Sequence, residues 1–577
     1  MEERGEGGGE GRPRPPGGDL GDIVLSWSLG QILDENLFQN QVVKIPSMFL
    51  SIEHYFGSFA SPLMEETRAE IHSSLDDISK LLVQKYCHRK GQRKSKLLRN
   101  CGSQNYKARN GDLFILSSMK PENVKDFNRY NVACCLALVT EVSMADDVQK
   151  GFVVKLPKFT DVEYDMDNFK FALFLTNLLS NIRIWKALCF TSGMNNNIRI
   201  INEVLSPKPM VTATCNTSLS GVNDYWFTKL SEKLCSFDLN LSQIEAVQAA
   251  IHATGCRDSH RVELVWGPPG TGKTKTVSAM LWAFLHMKCR TLTCAPTNVA
   301  VVGVCSRLLQ LIKYTDEKDK LHGLPSSLGD VLLFGNSERM EIDDELQDVF
   351  LDYRVERLVD CFAPSTGWKY RISSVISLLE DCSCMYHMFL ENSHKEEVLT
   401  FTNFFRKQFN AVVTSLENCI RNLWIHTNCI SSCNVTEISS LLNLLETMHN
   451  LLCDEELSDD ELKEVLLLDN SKCLLTKSID DPVSPEHGFS TSKRLSEARV
   501  ESLRLLRVLQ SSLLLPNIVD SSQIRAYCLR SASLIFCTAS SSSMLHHVVM
   551  NPLHTVVIDE AAQLKECESV IPHGLIG

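Results

Sequence analysis

The stretch Gly267-Pro268-Pro269-Gly270-Thr271-Gly272-Lys273-Thr274 constrains this chain more than any other. An apolar, strand-like run, Val262 to Trp266, precedes it, and Val277, Met280, Leu281, Phe284 and Leu285 follow at helical spacing. Strand, glycine-rich turn and helix form the setting in which G-x4-G-K-T becomes a phosphate-binding loop. Glycines let successive backbone N–H groups turn inward around an anion, and the start of the next helix adds a positive dipole end. Residues Gly267 to Thr274 are therefore read as a nucleotide site. Lys273 reaches the β- and γ-phosphates, and the Thr274 hydroxyl ligates Mg2+. The plainer alternative is a glycine turn without a ligand, and the flanking pattern argues against it.

Such a loop needs an acidic partner. The apolar run Thr555-Val556-Val557-Ile558 feeds into Asp559-Glu560-Ala561-Ala562-Gln563. A strand-end Asp holds Mg2+, and an adjacent Glu orients or deprotonates the attacking water. Asp559 takes the metal role and Glu560 the general-base role, which with Lys273 makes the catalytic set. Alone, Asp-Glu after an apolar strand is more often a solvated strand end; joined to the loop it becomes the second half of a site.

At 577 residues the chain holds several domains, and 44% hydrophobic with 22% charged residues is a globular composition. The net charge of −12 means that nucleic-acid contact has to come from local basic surface. No apolar run is long enough to cross a bilayer, and the N-terminus lacks a signal-peptide core. The 22 scattered cysteines suit a reducing, intracellular compartment. Cys382/Cys384/His387 and His426/Cys429/Cys433 lack paired zinc-ligand spacing and lie in apolar helical patterns, so they read as buried free thiols instead of zinc ligands.

The order of patterns suggests seven segments. Residues 1–20 form a low-complexity, disordered tail. Residues 21–105 are a helical region; a helix is announced at Ser61-Pro62, with Ile71, Leu75, Ile78 and Leu82 on one face. It ends in Lys85–Arg99, where seven of fifteen residues are Lys or Arg. That run is a phosphate-backbone contact or nuclear-import signal, with a solvated loop as the alternative. Residues 106–165, with runs 113–116, 132–139 and 152–156, suggest a small β-barrel. A helical stalk, 166–235, follows.

Residues 236–341 read as strand–helix–strand–helix, the first part of a parallel-sheet domain. Residues 342–530 are helical, over 342–361, 369–390, 397–425, 435–453 and 493–514, with an irregular stretch from Ser471 to Ser492. A block this long is an inserted subdomain. Its run Asp454–Glu464 has seven acidic residues and one Lys, which argues against a phosphate-backbone contact there. Residues 531–577 return to strands at 534–538 and 555–558.

Four ordered elements resemble superfamily 1 helicases of the senataxin/nonsense-mediated-decay (Upf-one-like) group. Phe237-Asp-Leu-Asn-Leu-Ser-Gln243 looks like the Q-type motif, which implies that Gln243 reads adenine. Gly267–Thr274 is motif I. Cys294-Ala-Pro-Thr-Asn-Val-Ala-Val301 resembles motif Ia, which implies that Thr297 and Asn298 touch the nucleic-acid backbone. Val557–Gln563 resembles motif II, and Phe536–Ser540 the small motif that places Thr538 on the nucleic acid. The resemblance implies a RecA-like P-loop NTPase domain, ATP with Mg2+ as cofactors, single-stranded RNA or DNA as partner, a monomer and a nuclear location. It also implies that residues 106–160 are the group's barrel and that the insertion is its protruding prong.

The octapeptide also matches hexameric AAA+ remodelling ATPases, but their Asp-Glu strand follows within several tens of residues. Here Asp559 lies 286 residues beyond Lys273. The group's second RecA-like domain supplies arginines to the γ-phosphate, and this chain ends 17 residues after Glu560. Loss of an arginine finger costs on the order of 10³–10⁵ in rate. The expectation is a fragment, shortened isoform or incomplete gene model that binds Mg·ATP weakly and hydrolyses little. The alternative to a helicase is then an ATP- or nucleic-acid-binding module without turnover.

Overall fold

A computed structural model describes residues 18–75, 83–89, 96–100, 108–128, 132–142, 151–157, 168–189, 199–205, 230, 232–255, 261–318, 327–392, 399–453, 457–467 and 491–575. The expected tail up to residue 17 lies outside these residues, as does most of the irregular stretch from Ser471 to Ser492.

Two short helices, Leu20–Ser26 and Leu29–Leu33, open the chain, each capped by a side-chain oxygen, of Asp19 and of Ser28. Helix α1 follows at Ile52–Leu75, with Pro62 in its interior instead of at its start. The Ser51 hydroxyl, not Ser61, accepts from a first-turn N–H, that of His54, at 3.1 Å. Burial explains the difference. Tyr55, Phe56, Phe59 and Leu63 are all buried, and that apolar gain outweighs the ladder bond that proline cannot donate. Ile71 and Leu75 are buried as their spacing predicts, whereas Ile78 and Leu82 lie outside the described residues.

Six strands then close into a barrel, in the order β1-β2-β5-β4-β3-β6. They are β1 (Val83–Arg89), β2 (Lys96–Asn100), β3 (Asp112–Ser117), β4 (Cys134–Val142), β5 (Gly151–Lys155) and β6 (Phe171–Asn177). Their span is wider than 106–165. Most of the basic run supplies β1 and β2, with Arg89 opposite Leu97 and Cys87 opposite Arg99. Its residues 90–95 lie outside the described ones. Phe171–Asn177, expected to be helical, pairs with both β1 and β3. A short apolar run fits either period, and the neighbouring strands decide. Alternation sorts the side chains: Phe114, Leu116, Ala137, Val139, Phe152 and Val154 share one cluster, while Leu113, Ile115, Leu136 and Leu138 join α1 in another. Helix α2 (Leu179–Leu188) leaves β6 directly.

The second half is built on a parallel sheet of order β10-β7-β9-β8. Its strands are β7 (Thr291–Ala295), β8 (Val331–Leu333), β9 (Leu534–Thr538) and β10 (Thr555–Ile558). Period-two alternation gives the sheet two apolar faces. Ala295, Val331, Leu333, Leu534 and Phe536 pack with α3 (Leu241–Gly255), α4 (Lys273–His286) and α5 (Asn298–Lys318). Leu292, Cys294, Leu332, Ile535 and Cys537 pack on the other side, in one cluster with the inserted helices.

Those helices are α6 (Leu351–Phe362), α7 (Trp368–Asn392), α8 (Phe401–His426), α9 (Ser432–Leu452), α10 (Asp459–Leu467), α11 (Thr491–Ser512) and α12 (Ser521–Ser531). The insertion thus provides the sheet's second helical layer as well as its own core. Its root is tied by Asp330, whose carboxylate accepts from Lys288 at 2.5 Å, Ser533 at 2.7 Å and Asn428 at 3.1 Å. Helix α13 (Glu566–His573) ends the described chain and returns Cys567, Val570 and Ile571 to the cluster that holds α1 and α2.

Candidate active site

The site forms where the strands end together. Parallel register sets Ile558 beside Cys294, and Cys294 beside Cys537. Asp559, the segment Pro296-Thr297-Asn298 and Thr538 therefore emerge along one C-terminal edge, where open parallel sheets bind ligands.

The glycine loop lies at the same edge. Gly270 and Gly272 have φ of +80° and +84°, a region that only glycine enters without strain. A Cβ on Gly272 would lie 2.7 Å from the Gln243 amide nitrogen, and one on Gly267 would lie 2.7 Å from the Thr271 hydroxyl. Lys273 opens α4, and its ammonium donates to the carbonyls of Gly267 at 2.7 Å and Pro268 at 3.0 Å. The loop is curled round its own cation, leaving donors that phosphate oxygens would engage.

Asp559 is buried. Desolvation raises its carboxyl above the usual range, while the nearby Lys273 charge pulls the other way. That influence puts the loop and the strand end within electrostatic reach of each other. Glu560 is exposed and holds a left-handed backbone with φ of +52°. Its carboxylate accepts from the Gln563 amide at 2.9 Å. Thr274, Asp559 and the loop N–H groups form an oxygen and amide donor set that fits a hard divalent cation carrying a polyphosphate.

One expectation fails here. Val262–Trp266 belongs to no strand, and Leu264 and Trp266 are 89% and 88% exposed. β-rich composition predicts a strand only where a neighbour supplies the ladder, and no described strand pairs with this run. The loop is tethered instead from the other side. Gln243 accepts from the Asn240 N–H at 2.9 Å and donates to the Thr271 carbonyl at 3.1 Å. Lys275 donates to the Asp238 carbonyl at 2.5 Å, and Phe237 packs edge-on against Trp282. The Q-type segment is thus clamped to the loop and its helix.

The three residues expected on nucleic acid share this edge. Thr297 caps α5 by accepting from the Ala300 N–H at 3.2 Å. The Asn298 amide donates to the Arg339 carbonyl at 3.5 Å. Thr538 accepts from the Ser541 N–H at 3.2 Å and donates to its hydroxyl at 2.9 Å. Sequence reasoning missed Gln563, although it sits inside a motif it had marked, and Lys275, which directly follows one. It also missed Arg183 of α2, which donates to Ser540 at 3.2 Å and which no local pattern announces.

Comparison with known proteins bears on the whole assembly. Residues 238–575, more than half of the chain, match the family model described as "AAA domain". The mouse protein named "Probable helicase senataxin" is 26% identical over 218 residues. The Neurospora crassa "Regulator of nonsense transcripts 1 homolog" is 39% identical over 72 residues. The chain belongs to the senataxin/Upf-one-like group of superfamily 1 helicases.

Within that group the matched lengths are partial. They cover 34% of this chain and 8% of mouse senataxin, and 12% of this chain and 6% of the Neurospora protein. The Arabidopsis "Probable helicase MAGATAMA 3" is 26% identical over 302 residues, 46% of this chain and 34% of that protein. Residues 17–212, which hold α1, the barrel strands and α2, match a separate model described as "Domain of unknown function (DUF6469)". This second half of the chain is a helicase-like P-loop NTPase domain. Among the described residues no helix is long and apolar enough to cross a membrane.

Proposed function

We propose that the chain is the nucleotide-binding part of an ATP-dependent helicase or translocase acting on single-stranded RNA or DNA. The observation that carries this reading is the placement of the Asp559 carboxylate within reach of the Lys273 charge, at the sheet edge that also bears Thr297, Asn298 and Thr538. Bound Mg·ATP supplies a γ-phosphoryl group open to attack by water. Lys273 leaves the Gly267 and Pro268 carbonyls to neutralise the β- and γ-phosphates. Thr274 and Asp559 hold the cation, and Glu560, steadied by Gln563, orients the water and takes its proton. Gln243 stands between loop and adenine. Thr297, Asn298 and Thr538 contact the strand's backbone. The protein works as a monomer, in the nucleus.

The helicase names of the matched relatives support this over a hexameric remodelling ATPase. The competing reading is nucleotide binding without turnover. ATP turnover with and without single-stranded RNA separates the two. The helicase reading predicts stimulation that Glu560→Gln abolishes while ATP binding persists. Unstimulated, Glu560-independent turnover would remove it.

A further inference from the structure

The turn that ends β9 carries Thr538, and it is held from beneath by the N-terminal module. Arg183 donates a guanidinium N–H to the Ser540 hydroxyl at 3.2 Å, and that hydroxyl donates to Ser180 at 3.4 Å. Both partners come from α2, which follows the last barrel strand. The Ser540 backbone also lies near Glu568 of α13, the helix after Asp559-Glu560.

Helix α2 is not free to shift. Ile184, Trp185 and Leu188 are buried in the cluster that also contains Cys567 and Ile571, and the Trp185 indole donates to the Gly18 carbonyl at 2.9 Å. Burial and the neighbouring Glu566 carboxylate both raise the pKa of Tyr55 of α1, and Glu66 pairs with Lys565.

Arg183 is a costly residue to keep there. Burial lowers its pKa, with only the Cys537 thiol opposing the shift. No carboxylate among the described residues forms a salt bridge with it. A half-buried cation without an anion is costly to desolvate. Its hydrogen bond goes to the turn that carries Thr538, one of the residues that the reading above places on nucleic acid.

We propose that Arg183 is a positioning residue for strand binding: it fixes the turn Thr538–Ser541, so the module of residues 17–212 sets how tightly this edge holds a single strand. The inference rests on the nucleic-acid reading of Thr538. It gives the N-terminal family domain a task that needs no direct contact with the ligand.

The test uses Arg183→Met, Ser540→Ala, their double variant and Arg183→Lys. The measurements are fluorescence anisotropy with a labelled uridine oligonucleotide and binding of a fluorescent ATP analogue. Each single variant weakens the oligonucleotide roughly three- to thirty-fold, the double variant adds little more, and Arg183→Lys recovers part of the loss. ATP-analogue affinity stays unchanged throughout. Additive losses, unchanged strand affinity, or an equal loss of nucleotide affinity would overturn the proposal. Should Arg183→Met fail to fold, Ser540→Ala removes the same bond by deleting one oxygen. Should the wild-type chain bind no strand, the helicase reading falls by itself. Hydrogen exchange then decides: faster exchange confined to residues 539–543 in Arg183→Met supports the positioning role, and unchanged exchange refutes it.

Discussion

Arg354 tests how the insertion is joined to the sheet. It lies on α6, is 0% exposed, and donates only to backbone carbonyls: Leu328 at 2.9 Å, Gly329 at 3.2 Å, Val331 at 2.7 Å and Asp348 at 2.9 Å. Three of the four acceptors lead into or lie on β8, so one side chain stitches the insertion's first long helix to the edge strand. Arg354→Met keeps the volume and removes the donors. The Leu328 carbonyl retains the Val331 N–H, and the Asp348 carbonyl retains the His426 ring. Gly329 and Val331 lose a charged donor each, at about 1.5–3 kcal/mol apiece. The expected loss is about 3–6 kcal/mol, or a fall in melting temperature of roughly 10 °C for a domain of this size. Differential scanning fluorimetry gives the shift, and hydrogen exchange locates it: β8 and α6 should exchange faster while the barrel does not change. A shift under about 2 °C, or exchange spread evenly over the chain, would refute the stitching argument.

Two further outcomes follow from single residues. Burial depresses the His426 pKa from 6.5 to about 4. The unfolded chain therefore binds more protons between those values, and stability present above pH 6.5 is lost as pH falls toward 4, by up to about 3 kcal/mol. Urea midpoints across this window should fall for the wild type and flatten for His426→Gln; parallel curves would contradict the assignment. Glu560 sits at φ of +52°, where a side chain costs about 1–2 kcal/mol. Glu560→Gly should accordingly be about 1 kcal/mol more stable than Glu560→Ala, with both inactive. Equal melting temperatures would mean that this strand end carries no strain.

The sequence exposed the chemistry-bearing half of the fold because its signals are local. Strands 534–538 and 555–558 and the five expected helices of the insertion are set by uninterrupted apolar runs and by one-faced periodicity, and they appear close to their expected positions, whereas α10 and α12 were not foreseen. The barrel was harder to delimit. Charges at Lys85, Arg89, Lys96 and Arg99 conceal β1 and β2, whose pairing depends on β5 and β6 far along the chain. Ser61-Pro62 carries a sound local start signal, yet the helix begins at Ile52 because Tyr55, Phe56 and Phe59 have a surface to bury against.

Val262–Trp266 has the composition of a strand and lacks a described partner, and no local pattern reveals a missing neighbour. The same limit applies within the site. Gln243 and Lys273 were legible as residue types at set spacing, whereas the bonds of Gln243 to Thr271 and of Arg183 to Ser540 arise only from tertiary approach.

Equilibrium binding of a fluorescent ATP analogue to this chain, with and without Mg2+, tests the central claim most directly. The account predicts Mg2+-dependent binding that Lys273→Ala weakens by roughly tenfold or more. It also predicts that Asp559→Asn removes the Mg2+ dependence, because its buried carboxylate is the site's anion. Binding of equal strength in the wild type and Lys273→Ala would contradict the assignment of the nucleotide site to Gly267–Thr274.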